Sequence, residues 1–247
     1  SGHDVMLVDA DPQCNLTGMA LEMSGIDELA ALYESERNAN IYHALLPAFG
    51  GNPEKITPAN LIDTRHPKLK LLAGHIDVSA FESELAMAHK LLGAMPVLQN
   101  LPGALGHLIR ITATERKSSV VLVDMSPSVG SLNQNIFLQS DYFVVPTSPD
   151  FFCLMAIDSL ARILPEWARS ADFIRSAQSN SIYKIPSQNP KFIGMLSQRY
   201  RPRAKKPASN FQDWIEKIVK RTNEKLVPAL SASKMAIDKG AFESVVG

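Results

Sequence analysis

Four uninterrupted apolar runs punctuate the chain: Val5-Met6-Leu7-Val8, Val120 to Val123, Tyr142 to Val145 closed by Pro146, and Phe192 to Leu196. A run without alternation suits a strand covered on both faces, as in a parallel sheet. Between these runs apolar residues recur at helical spacing. One stripe is Phe81, Leu85, Ala88 and Leu92, ending near Gly93 and Pro96; a second is Phe211, Trp214, Ile215, Ile218 and Val219. Ser79-x-x-Glu82 precedes the first and Ser209-x-x-Gln212 the second. In that pattern the Ser side chain and the acid or amide three residues on satisfy orphan N–H groups at a helix start. Strands alternating with helices predict an α/β fold, three layers α/β/α around a mostly parallel sheet. Residues 24 to 78 are the least patterned, with turn signals at Gly50-Gly51-Asn52-Pro53 and around Pro67. No internal repeat or low-complexity linker divides the chain, which reads as a single domain over 1–247.

Composition narrows this picture. At 247 residues and 45% hydrophobic content the chain can bury a sizeable core. Lys+Arg and Asp+Glu both number 25, so an anionic or cationic partner would have to be met by a local patch. Cys14 and Cys153 form no CxxC or Cys/His spacing, which argues against a zinc site or a disulfide framework and reads them as small packed residues. No stretch approaches the roughly 18 apolar residues of a membrane helix, and no basic-then-apolar signal opens the chain. The expected location is the cytoplasm. Ser1-Gly2-His3-Asp4 runs directly into the first strand, so the chain reads as cut at its N-terminus.

The chemistry concentrates at two strand ends. In VMLVDADPQCNLTG (5–18) a buried strand ends in Asp9 and Asp11 and then Pro12; in VVLVDMSPSVGSLNQN (120–135) another ends in Asp124 and a Pro-Ser turn. Ligands of open α/β sheets bind beyond the carboxyl ends of strands. Hard carboxylate oxygens on neighbouring ends suit Mg²⁺ and the orientation of an attacking water.

VDADPQCNLTG resembles the segment that follows the first helix of ParA-type partition ATPases. LVDMSPSVGSLNQN resembles their Walker B strand and turn, and DYFVVPTSPD (141–150) the next strand, which ends in a proline beside the nucleotide. The three motifs occur in the family's order over about residues 1 to 165. The resemblance implies a P-loop NTPase-like fold and a site for Mg²⁺ and ATP. Asp11 would be the water-orienting acid, Asp9 its support, and Asp124 the acid on the Mg²⁺ side, acting through coordinated water. Pro127, Pro146, Gln198 and Arg199 would border the nucleotide. Ser126 stands where the family commonly has the first proline of a pair. No Gly-Lys dipeptide occurs in the 247 residues, so the family's KGGxGK[ST] phosphate loop is absent from them. The resemblance places that loop, with the first strand and most of the first helix, before Ser1, and a final helix after Gly247.

Arg199, Arg201, Arg203, Lys205 and Lys206 put five cations within eight positions, with Tyr200 and Pro202 interleaved and Pro207 following. Such a run can neutralise phosphates in sequence-independent, salt-sensitive DNA binding. The implied activity is ATP hydrolysis by a homodimer, stimulated by a ParB-like partner, to segregate plasmid or chromosomal DNA at the nucleoid without membrane contact. A MinD-like positioning ATPase and a non-enzymatic DNA- or protein-binding module are the competing readings. An iron-sulfur reductase relative is disfavoured by the cysteine positions.

Overall fold

A computed structural model describes residues 2–35, 37–49, 55–95, 98–198, 202–203, 206–207 and 209–237. Its elements run β1 (Val5–Asp9), α1 (Asn15–Ala20), α2 (Ile26–Ser35), α3 (Ile41–Phe49), β2 (Ile62–Asp63), β3 (Leu69–Leu72), α4 (Phe81–Leu91), α5 (Leu101–Glu115), β4 (Val120–Asp124) and α6 (Ser131–Leu138). There follow β5 (Tyr142–Thr147), α7 (Phe151–Ala177), β6 (Lys191–Ser197), β7 (Pro202–Arg203), β8 (Lys206–Pro207), α8 (Ser209–Arg221) and α9 (Val227–Ala232). The fold is α/β with mostly parallel strands. The chain forms two compact units, the first of residues 1–136 and 174–185, the second of 137–173 and 186–247.

In the first unit the sheet order is β2-β3-β1-β4. β1 is parallel to both neighbours, Val5 facing Leu69 and Val120, Val8 facing Leu72 and Val123. Met6 and Val8 on β1 and Leu71 and Leu72 on β3 are fully buried. β3 escapes the apolar-run pattern because Lys70 interrupts it; that lysine pairs with Asp63 on antiparallel β2. β4 pairs with β1 alone among the described residues. Its run is a strand, as expected, but its side chains are not covered on both faces: Val120 and Leu122 stay exposed.

The helix stripe of Phe81, Leu85, Ala88 and Leu92 is buried as its spacing predicts. Its capping box does not form. Residues Ile76–Ala80 make a 3₁₀ turn instead, capped by His75, whose Nδ1 accepts from the Asp77 N–H at 3.1 Å. Ser79 is thereby inside that turn, its hydroxyl donating to the Ile76 carbonyl at 3.1 Å, and Glu82 turns to α6. In α8 Gln212 donates to Glu216 at 3.0 Å, and the Ser209 side chain lies outside the described residues. Along its stripe Ile218 is buried and Val219 exposed.

In the second unit β5 and β6 pair in parallel with a bulge after Phe143. Gly194 sits opposite Val144 with φ +144°, a backbone that L side chains rarely adopt, so glycine is what lets the strand resume its register. Phe143 packs on Phe137 and Phe192 at ring separations of 4.9 and 5.4 Å, and Leu138, Ile157, Leu164, Leu226 and Leu230 are buried in this unit. Phe151 and Phe152, at the start of α7, are 53% and 78% exposed, which excludes a core-filling role for them. Among the described residues no helix is long and apolar enough to cross a membrane.

Candidate functional site

Strand pairing sets the two acid-tipped ends side by side. Asp9 is the register partner of Asp124, and the Ala10 N–H donates to the Asp124 carbonyl at 2.9 Å. The pairing that buries the strand thus gathers Asp9, Asp11 and Asp124 at one sheet edge.

Asp9 is fully buried. One carboxylate oxygen accepts the Thr17 N–H at 2.7 Å and the Thr17 hydroxyl at 2.6 Å; the other accepts the Asp11 N–H at 3.3 Å. Thr17 is the third residue of α1, whose own N-cap, Cys14, offers no side-chain bond. Asp9 therefore does from the strand what a capping side chain does from the helix, satisfying an orphan N–H. The Thr17 hydroxyl in turn accepts the Gly74 N–H at 2.8 Å. A β-carbon on Gly74 would come within 2.9 Å of the Asp9 carboxyl carbon and 3.0 Å of Cys14 Sγ, so glycine permits this approach. Burial pushes the Asp9 carboxyl up, opposed by its bonds to Thr17 and Asp11.

Asp11 is buried and its carboxylate accepts the Gln13 N–H at 3.0 Å, while its carbonyl accepts the Cys14 N–H at 2.9 Å. This turn carries Cys14 through the left-handed region at φ 55°. Cys14 is packed, as expected: buried, 3.3 Å from the Tyr33 hydroxyl, with its thiol pushed up to about 11 by burial.

Asp124 is exposed. Its carboxyl is raised first by partial burial and then by the charges of Asp9 and Asp11. A folded-state value above the ordinary 3.8 means that ionising Asp124 opposes folding. Its favourable contribution is complete below that ordinary value and is lost as pH rises through the folded one. Asp124→Asn is accordingly expected to stabilise the chain at neutral pH by about 0.5 kcal/mol, solvent screening keeping the gain small. The gain should shrink as pH falls toward 4 in urea melts at stepped pH, and a destabilised variant at pH 7 would contradict the argument.

The turn after Asp124 is pinned despite Ser126 in the proline position. The Asn133 amide donates to the Ser126 and Ser128 carbonyls, the latter at 2.8 Å, and its oxygen accepts the Ser126 hydroxyl at 3.2 Å. Pro127 is the exposed apex of this turn. Among the described residues no three His, Cys, Asp or Glu side chains are grouped to hold a metal by themselves. The arrangement fits a hydrated Mg²⁺ met by one carboxylate, Asp124, whose unfavourable charge the cation would relieve.

Thr17, Gly74 and Asn133 were not singled out by sequence reading. Thr17 and Asn133 lie inside the two motif runs, but nothing in their spacing says that one anchors Asp9 and the other the Ser126 turn. In the second unit Pro146 pairs with Leu196, and the Gln198 N–H donates to the Thr147 carbonyl at 2.7 Å, so Pro146 and Gln198 share the carboxyl ends of β5 and β6. Arg199, Arg201 and Lys205 lie outside the described residues. Arg203 and Lys206 are opposite one another in the β7–β8 pair.

Residues 1–173 match the AAA_31 family model, described as an AAA domain. Among solved structures the chain is similar to protein DIP2308 of Corynebacterium diphtheriae, at 22% identity and TM-score 0.66, over 89% of this chain and 78% of that one. It is also similar to cobyrinic acid a,c-diamide synthase of Mycobacterium smegmatis with bound ATP analogue and magnesium, at 22% identity and TM-score 0.54, over 89% and 70%. A protein named as a partition protein aligns at 14% identity and TM-score 0.55, over 90% and 55%.

Proposed function

The chain belongs to this AAA-domain family and has the fold of ParA-type partition ATPases and related P-loop enzymes, and from that premise we propose that it acts as a ParA-like partition ATPase. It binds Mg²⁺ and ATP, pairs with a second copy, holds DNA without sequence preference and hydrolyses ATP on stimulation by a ParB-like protein. The observation that carries this reading is the register of Asp9 with Asp124, which joins both acid-tipped strands into one edge with Asp11 in the loop beyond.

Asp11 orients the attacking water, Asp9 fixes the loop that bears Asp11, and Asp124 faces Mg²⁺ through coordinated water. Asp124 would hold Mg²⁺, and the cation would supply positive charge beside the phosphates. Pro127, Pro146, Gln198 and Arg199 border the nucleotide, and Arg199, Arg201, Arg203, Lys205 and Lys206 meet DNA phosphates. The magnesium and ATP analogue of the mycobacterial synthase structure support the ligand class.

The 247 residues hold no Gly-Lys dipeptide, and this favours a second reading, a non-enzymatic binding module of the same fold. The two part in one experiment. Protein expressed from the full gene should bind Mg·ATP in calorimetry and turn it over faster with DNA and a ParB-like partner. A full-gene product that binds no ATP establishes the module instead.

A further inference from the structure

Glu82 stands in the first turn of α4, yet its carboxylate serves another helix. It accepts the backbone N–H groups of Ser131 and, at 2.8 Å, Leu132, the opening residues of α6. A helix leaves those groups unpaired, and a carboxylate there also meets the positive end of the helix dipole. The approach depends on residue 130 being glycine, because a β-carbon at that position would fall against Oε1 of Glu82. Gly130 has no positive φ, so close approach is the constraint it answers. Asn133, one residue further into α6, ties the Ser126 and Ser128 carbonyls. Two turns along α4, His89 lies 3.5 Å from the Asn135 amide, which also donates to the Pro102 carbonyl at 2.9 Å. α4 therefore grips α6 at two points, and α6 grips the turn that leaves β4.

We infer that Glu82 is a positioning residue for Asp124: seated on the N-terminus of α6, and acting through Asn133, its carboxylate fixes the turn by which Asp124 leaves the sheet. The inference rests on reading Asp124 as a site carboxylate, but its test does not require turnover. Failure of that reading would appear as unchanged ATP hydrolysis by Asp124→Asn in the full-gene protein. Failure of the present one appears in the measurements below.

The test uses residues 1–247 with Glu82→Gln, Gly130→Ala and the double variant. Gly130→Ala displaces only the flexible end of Glu82, so it probes the same contact without a substitution in α4. Hydrogen exchange of the Ser131 and Leu132 amides should accelerate about tenfold in either single variant, the loss expected of a charge-assisted bond. The double variant should be no faster than the singles, because both remove one contact. The side-chain amide resonances of Asn133 and the backbone amide resonances of Ser126 and Ser128 should shift in each variant as the turn loosens from α6. A purely structural role would lower the melting temperature and leave those resonances in place. Wild-type exchange over 126–135, unmoved Asn133 and Ser126 resonances, or additive effects in the double variant would each overturn the assignment.

Discussion

Gly103→Ala is expected to cost about 3 kcal/mol of stability, although alanine in a helix ordinarily gains up to about 1 kcal/mol over glycine. Gly103 is a buried position in α5. A β-carbon there would lie 2.8 Å from the Lys184 backbone nitrogen and closer still to the Tyr183 carbonyl. The obstacle is backbone, and it is held. The Tyr183 hydroxyl accepts the Ile56 N–H at 2.9 Å, its ring packs on His107 at 4.5 Å, and its carbonyl accepts the Ser181 hydroxyl at 2.8 Å. Asn100 accepts the Ile182 N–H at 2.8 Å, and Gln178 accepts the Ile185 N–H at 3.1 Å. With 178–185 tied down, α5 itself has to move, and Leu101, Leu105 and Leu108 lose packing with it. Overpacking that shifts backbone outweighs the propensity gain, so the sign is negative. Gly18→Ala in α1 is the control, since nothing lies within 4 Å of its β-carbon position; it should hold or gain stability. Urea melts of the two variants decide the matter, and equal midpoints for Gly103→Ala and the parent chain would refute the clash.

The strands at Val5, Val120, Tyr142 and Phe192 were legible because continuous apolar runs have few other uses in an α/β chain. β3 was not, because Lys70 breaks its run while pairing with Asp63. The acids were legible as strand ends, and strand register makes neighbours of Asp9 and Asp124. The cap of α4 was misread for a physical reason. A capping box assumes that the acid three residues on serves its own helix, whereas Glu82 caps α6 from α4. Asp9 shows the same habit, capping α1 from β1. Both helices beside the acidic edge are closed by carboxylates from elsewhere in the chain. No local pattern encodes such a bond, since the partners meet only after the sheet has formed.

Asp9 and Asp11 lie two positions apart, and their alanine variants are expected to fail in opposite ways. Asp9→Ala strands the Thr17 N–H and hydroxyl and the Asp11 N–H in a buried setting. Each orphaned buried group costs about 1–3 kcal/mol, and partial relaxation of α1 recovers some of it, so the net loss should be about 3–4 kcal/mol. Asp11→Ala forfeits one turn-closing bond, from the Gln13 N–H, at a cost of about 1 kcal/mol or less. In protein expressed from the full gene, Asp11→Ala should reduce ATP turnover by about 10²–10⁴-fold while leaving nucleotide binding intact, because a water-orienting acid acts on the reaction rather than on the ground-state complex. Asp9→Ala should lose turnover only in proportion to the unfolded fraction and the displaced Asp11 loop, and its activity should recover on cooling toward the temperature of greatest stability. If Asp11→Ala hydrolyses ATP at the parent rate, the catalytic assignment fails while the fold argument stands. If Asp9→Ala melts with the parent chain, the buried carboxylate is not the anchor that its three hydrogen bonds indicate, and the positioning of Asp11 has to come from the Gly74 and Cys14 side of the loop.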